Sequence, residues 1–186
     1  MSNILLWYTT RASGAVASVM LSIVVALGLL TAGRAGSVRW PRFLTAAVHR
    51  DIALTALGFL TLHVVTAVVD PFTHLGLAAA VVPFGSYYRT FWLGLGTIAF
   101  ELLLAVIATS LLRNLIGARV WRGVHWASYA MWPLAMAHGI GTGTDSFSRA
   151  MVAVTIACAV LVLAALDVRL RSRGDPLADE RRAAAA

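Results

Sequence analysis

Five histidines punctuate this 186-residue chain, His49, His63, His74, His125 and His138, and four of them form two matched pairs. His49 and His63 stand 14 residues apart within one apolar segment, and His125 and His138 stand 13 apart within another. At a rise of about 1.5 Å per residue, the members of each pair are roughly 20 Å apart along a helix, so one lies near each face of a bilayer. Neutral imidazole is a metal ligand and a proton carrier. Two imidazoles facing each other at each of two depths supply the axial positions of two stacked haems, with apolar walls to exclude water. A lone intramembrane histidine is as well explained by a hydrogen bond to a neighbouring helix. Four in matched pairs favour ligation, and a polar group at such depth is a functional candidate by default. His74 follows Asp70 and Pro71 in a connection and reads as a solvated or loop-capping residue. The chain has no Cys-x-x-Cys-His attachment motif, so the expected group is noncovalent haem b, two per chain.

Positioning such a constellation requires rigid apolar elements, and the composition supplies them. The chain is 60% hydrophobic and only 12% charged, with a mean hydropathy of +0.82, whereas a soluble domain is about one-quarter charged. The expected fold class is therefore all-α, an integral membrane helical bundle. Five spans are read at 13–30, 45–69, 90–112, 124–140 and 150–166. They define a membrane domain over 13–166, preceded by an N-terminal segment, 1–12, and followed by a charged tail, 167–186, expected to be poorly ordered. The stretch 75–84 is apolar but too short to cross and reads as re-entrant or interfacial. Residues 1–10 lack a basic n-region, so no cleavable signal peptide is expected.

The net charge of +7 comes from 15 arginines, with no lysine, against 8 acids. Arg34, Arg39, Arg42 and Arg50 surround the first connection, Arg113, Arg119 and Arg122 fill the third, and five more lie in the tail. Only Arg11, Arg89 and Arg149 fall on the other side. This bias predicts an outer N-terminus and a cytoplasmic C-terminus in a multi-pass plasma-membrane protein. Loop-borne charge of this kind argues against nucleic-acid binding. The absence of a glycine-rich phosphate loop argues against bound nucleotide, and the single Cys158 excludes a disulfide framework. Under this topology His49 and His125 share the inner level and His63 and His138 the outer one.

Helical geometry treats the two pairs differently. At about 100° per residue, 14 residues return to within about 40° of the same face, while 13 leave His138 about 140° from His125. Pro133, between them, is the expected site of a kink that re-aims the second ring. Ala53, Ala56, Gly58 and Ala67 on the second span, with Gly123, Ala127, Ala130, Ala135, Ala137 and Gly139 on the fourth, are expected to make room beside the ligands. Arg50, Arg119 and Arg122 stand where guanidinium groups could fork inner-haem propionates, although loop charge explains them equally well. Glu101, deep in the third span, reads either as a proton site or quinone partner or as an acid hydrogen-bonded within the bundle. Trp7, Trp40, Trp92 and Trp121 read as interface anchors, and Trp126, Tyr129 and Trp132 could flank a haem, although bundle packing explains them equally well.

The stretch from His49-Arg50-Asp51 to His63, followed by Trp121-Arg122-Gly123-Val124-His125 and by Trp132-Pro133-Leu134-Ala135-Met136-Ala137-His138-Gly139, resembles the ferric reductase-like transmembrane domain. That superfamily includes ferric reductases, the NADPH oxidase membrane domain and the haem-binding subunit of the bacterial methionine sulfoxide reductase system. The resemblance covers about residues 13–166, with five spans where the family usually has six. It implies b-type haems ligated by His49 and His125 and by His63 and His138, and electron flow outward as the haem-binding subunit of an oxidoreductase. The flavin and nicotinamide domain of the full-length reductases does not fit in the residues after 166. A separate flavin reductase or membrane quinol is then the implied donor, and ferric iron, dioxygen or a partner protein the outer acceptor. Two rival readings remain from the residues themselves: a quinol-linked cytochrome subunit using Glu101, and a haem-free proton or metal transporter or scaffold.

Overall fold

The computed structural model describes residues 2–32, 42–71, 73 and 75–173. Arg34, Arg39, Trp40, His74, Arg181 and Arg182 lie outside them, so the readings made of those residues are not addressed by the structure. Among the described residues seven helices follow in chain order: α1 (Ser2–Ala32), α2 (Arg42–Val69), α3 (Gly76–Val81), α4 (Thr90–Leu111), α5 (Arg113–His125), α6 (Ser128–Thr142) and α7 (Arg149–Arg173). There is no strand among the described residues. The molecule is an all-α bundle. Four helices, α1, α2, α4 and α7, are long and apolar enough to cross a membrane.

Three boundaries differ from the sequence expectation. α1 begins at Ser2, so residues expected to form a separate N-terminal segment continue the first span. At about 1.5 Å per residue its 31 residues reach past a hydrocarbon core of about 30 Å. α7 runs on to Arg173 because Arg169, expected in a loose tail, is buried against the bundle. The segment expected as one span over 124–140 is broken: α5 ends at His125, Trp126 and Ala127 form a turn, and α6 has only 15 residues. α3, six residues long, matches the expectation of a piece too short to span. It packs against α2 and α4, and the Thr97 hydroxyl donates to the Ala79 carbonyl at 2.9 Å.

Lipid supplies no hydrophobic drive between helices, so close approach and interhelical hydrogen bonds hold a membrane bundle together. α1 is the central element, packed on α2, α6 and α7, while α4 packs on α5 and α6. Small buried residues on α1, Ser13, Ala17 and Ser22, let neighbouring backbones come close. The serine hydroxyls bond carbonyls one turn back, as in Ser13 to Thr9 and Ser22 to Ser18, leaving no orphan donor in hydrocarbon. Thr10 bonds Thr66 across α1 and α2 at 2.8 Å, and the Trp132 indole donates to Ser22 across α6 and α1 at 2.8 Å. Leu21, Ala56, Ala99 and Met131, from α1, α2, α4 and α6, form one buried layer. Val25, Ala26, Leu29, Val162 and Ala165 form a second between α1 and α7. α2 and α6 are not a closely packed pair, and the space between them is where the histidines meet.

Candidate functional site

α2 carries His49 and His63 two levels apart, and each faces a histidine from the other half of the bundle. The His63 and His138 rings have centres 6.2 Å apart and planes at 87°. The His49 and His125 rings have centres 6.4 Å apart and planes at 51°. A first-row metal sits about 2.0–2.1 Å from an imidazole nitrogen, so two rings aimed at one metal have centres about 6.3 Å apart. Both pairs have this separation. The pairing is the one expected from the spans, His63 with His138 and His49 with His125.

Part of the 140° offset between His125 and His138 is taken up at the break between α5 and α6, upstream of Pro133, which α6 carries inside itself. Around the turn, the amides of Ala127, Tyr129 and Ala130 bond carbonyls three residues back, at 2.9, 3.1 and 3.0 Å. A backbone wound at three residues per turn advances about 120° per residue instead of about 100°. Each tightened step therefore turns His138 about 20° back toward the side that His125 occupies.

Backbone carbonyls and glycines hold the His63 and His138 rings. His63 Nδ1 donates to the Thr10 carbonyl at 2.8 Å, and His138 Nδ1 donates to the Trp92 carbonyl at 3.0 Å. A carbonyl on Nδ1 fixes the tautomer that leaves Nε2 free as a ligand, which is how metal-binding histidines are oriented. A Cβ at Gly14 of α1 would come within 2.7 Å of the His63 ring, and one at Gly96 of α4 would overlap the His138 ring. These glycines let α1 and α4 lie against the histidine rings, and Ala67, Ala135 and Gly139, among the small residues expected on the histidines' own spans, line the cavity beside them. Beside the pair opens a largely apolar cavity of about 1320 Å³, open space at its mouth included. It is lined by both histidines, Arg11, Gly14, Gly96 and Met131 among others.

The His49 and His125 level is built otherwise. Neither Nδ1 has a hydrogen-bond partner among the described residues, and the Val24 carbonyl of α1 faces His49 outside bonding geometry. Gly28 lies in ordinary contact with the His49 ring, a Cβ there falling 3.6 Å from Cε1. Thr10 and Gly14 thus recur on α1, 14 residues later, as Val24 and Gly28, the interval that separates His49 from His63. That matched interval was present in the sequence. His125 is flanked by Trp121, with ring centres 5.1 Å apart, and the Trp121 indole donates to Ser110 at 3.2 Å. Trp121 is therefore also a packing partner of a histidine, a role the sequence did not suggest.

No family model, curated protein or solved structure matches this chain. The chemistry must be argued from the donor set.

Among the described residues, no group of three or more His, Cys, Asp or Glu gathers. A free divalent ion held by protein alone takes four or more ligands. Two opposed imidazoles suit a metal that brings its remaining ligands in its own ring. The residues present fit haem on three counts: the ring separations, the Nδ1 bonds and glycine clearance that set the His63 and His138 rings, and the apolar cavity beside that pair.

The other candidates are placed less decisively. Arg50 pairs with Asp51 at 3.1 Å, both exposed. Arg119 and Arg122 are exposed on α5, which buries none of its residues, and neither hydrogen-bonds a histidine. Glu101 is exposed on α4, makes no hydrogen bond or ion pair within the described residues, and does not line the cavity. Trp132 packs against the layer between α1 and α7, as the bundle-packing reading of that residue expects. Arg11, which lines the cavity, forms an ion pair with Asp145 and donates to Ser146, and Arg89 donates to the Gly141 carbonyl.

Proposed function

We propose that this chain carries electrons across the membrane through two noncovalent b-type haems, each held between two histidines. The observation that carries the reading is the pair of imidazole couples, at 6.2 and 6.4 Å, at two levels of one apolar bundle. His63 and His138 hold one haem, and His49 and His125 the other. Bound there, the iron supplies one-electron chemistry. The chain's own part is to aim the imidazoles, keep their tautomer, exclude water and fix the spacing of the two stations. The likeness to the ferric reductase-like domain supports the same assignment.

The arginine bias supports an inner level at His49 and His125 and an outer one at His63 and His138, with the chain in the plasma membrane. The acceptor then meets the outer side, whether ferric iron, dioxygen or a partner protein. Exposed Arg113, Arg119 and Arg122 offer a docking face for an acidic flavin reductase, and membrane quinol is the other donor. The protein is the electron-transfer subunit of an oxidoreductase. The test is a pyridine haemochrome assay and a reduced-minus-oxidised spectrum of the purified full chain. Close to two noncovalent haems per chain is expected. A colourless protein, or a ratio near one, overturns the reading.

A further inference from the structure

Arg169 lies near the end of α7 and is only 7% exposed. Two residues on, Arg171 is four-fifths exposed and pairs with Asp167 at 2.8 Å, so burial at 169 is not shared by its neighbours on the helix. The Arg169 guanidinium donates to the Tyr129 hydroxyl at 2.7 Å. It also lies over two aromatic faces, 5.7 Å from the centre of Trp126 and 5.4 Å from that of Tyr129. The two rings meet edge to face, 5.7 Å apart at 84°. Tyr129 is anchored in turn on the buried layer between α1 and α7. Cation–π contacts gain strength as the pair is desolvated, and arginine's flat guanidinium can stack and hydrogen-bond at once.

What this cluster holds is the turn after His125. Trp126 is the residue next to His125, and Trp126 and Ala127 separate α5 from α6. The turn relies on i→i−3 bonds, which are poorer than α-helical ones, and α5 buries none of its own residues. His125 also lacks the Nδ1 carbonyl bond that orients His63 and His138. Its direction therefore depends on what fixes the backbone at 126 and on the Trp121 ring on its other side. We propose that Arg169 is a positioning residue for His125: by clamping Trp126 and Tyr129 it ties the end of α7 to the ligand geometry of the His49 and His125 pair. The inference rests on the haem reading above, and it makes the last turns of α7 a place from which that site can be tuned.

The experiment uses the full chain with its haem and three variants, Arg169→Ala, Arg169→Lys and Tyr129→Phe. Haem per chain in the unaltered protein tests the haem reading by itself. Low-temperature EPR of the oxidised protein then reads each bis-histidine site, with His49→Ala assigning the signal that belongs to the His49 and His125 pair. Arg169→Ala should shift or broaden that signal and leave the His63 and His138 signal in place, so the second site reports that the bundle is intact. Arg169→Lys keeps the charge without the fork or the flat stack and should restore the signal only partly. Tyr129→Phe should move the same signal less than Arg169→Ala does. If Arg169→Ala leaves both signals unchanged, or perturbs both alike, the positioning role is wrong although the haem reading stands. If the unaltered chain carries no haem, both fall together.

Discussion

The two histidine levels are built to different standards. At the His63 and His138 level each ring is bonded to a backbone carbonyl, backed by a glycine and opened onto a cavity. At the His49 and His125 level neither Nδ1 has a hydrogen-bond partner among the described residues, the ring planes are tilted at 51°, and Trp121 packs on the His125 ring. One pair is aimed by backbone, which changes only if a helix moves. In the other, His125 is steadied by a side chain next to a turn, which a single substitution can loosen. Two pairs of the same residue type thus differ in how rigidly they are preorganised.

Removing ligands is the largest test of this contrast. His63→Ala or His138→Ala should lower haem from about two to about one per chain and spare the other spectral component, and His49→Ala or His125→Ala should do the reverse. Loss of both haems from every variant would deny that the levels are separate. His74→Ala serves as the control and should leave the count unchanged.

Glycine substitutions come next. Gly96→Ala and Gly14→Ala place a Cβ against the His138 and His63 rings, and overpacking of this kind costs about 1–3 kcal/mol. Both variants should bind haem poorly at the His63 and His138 level. Gly28→Ala, where a Cβ makes only ordinary contact, should retain both haems. Equal haem content in all three would mean that the glycines do not set ring clearance.

A finer readout uses the ring planes. Perpendicular imidazoles keep the iron dπ orbitals nearly degenerate, whereas less steeply crossed planes split them. The His63 and His138 site, at 87°, should therefore give the larger maximum g value. Indistinguishable g values at the two sites would remove the geometric distinction.

The smallest expected effect concerns the donor. Reduction by an acidic flavoprotein should slow as salt rises, because exposed charges are screened over about 8 Å at physiological ionic strength. Arg119→Ala with Arg122→Ala should flatten that dependence, and a rate insensitive to both salt and substitution would favour quinol.

Much of the bundle was legible because hydropathy and histidine spacing are one-dimensional signals. The pairing of His63 with His138 and of His49 with His125 follows from two helices running the same way. The break at Trp126 and Ala127 was not legible, since both residues keep helical backbone angles, and the tightening is a hydrogen-bond pattern that periodicity does not encode. Pro133 drew attention instead because its missing N–H is visible in sequence. The roles of Gly14, Gly28 and Gly96 were hidden for another reason: they serve histidines on other helices, so only tertiary packing connects them. The burial of Arg169 reverses what its charged neighbours suggest, because aromatic faces 40 residues away receive it.

Each level takes one histidine from α2 and the other from α5 or α6, and this division has a consequence for how the protein is made. α1 and α2 are completed early and present half of both stations, but neither station can close until the ribosome has passed residue 125. The His49 and His125 station closes first and the His63 and His138 station second. At roughly 5–20 residues per second, the chain between His63 and His138 takes about 4–15 s to synthesise. On the haem proposal, insertion would be a late step, and a chain stalled before α5 would present each level with one histidine alone.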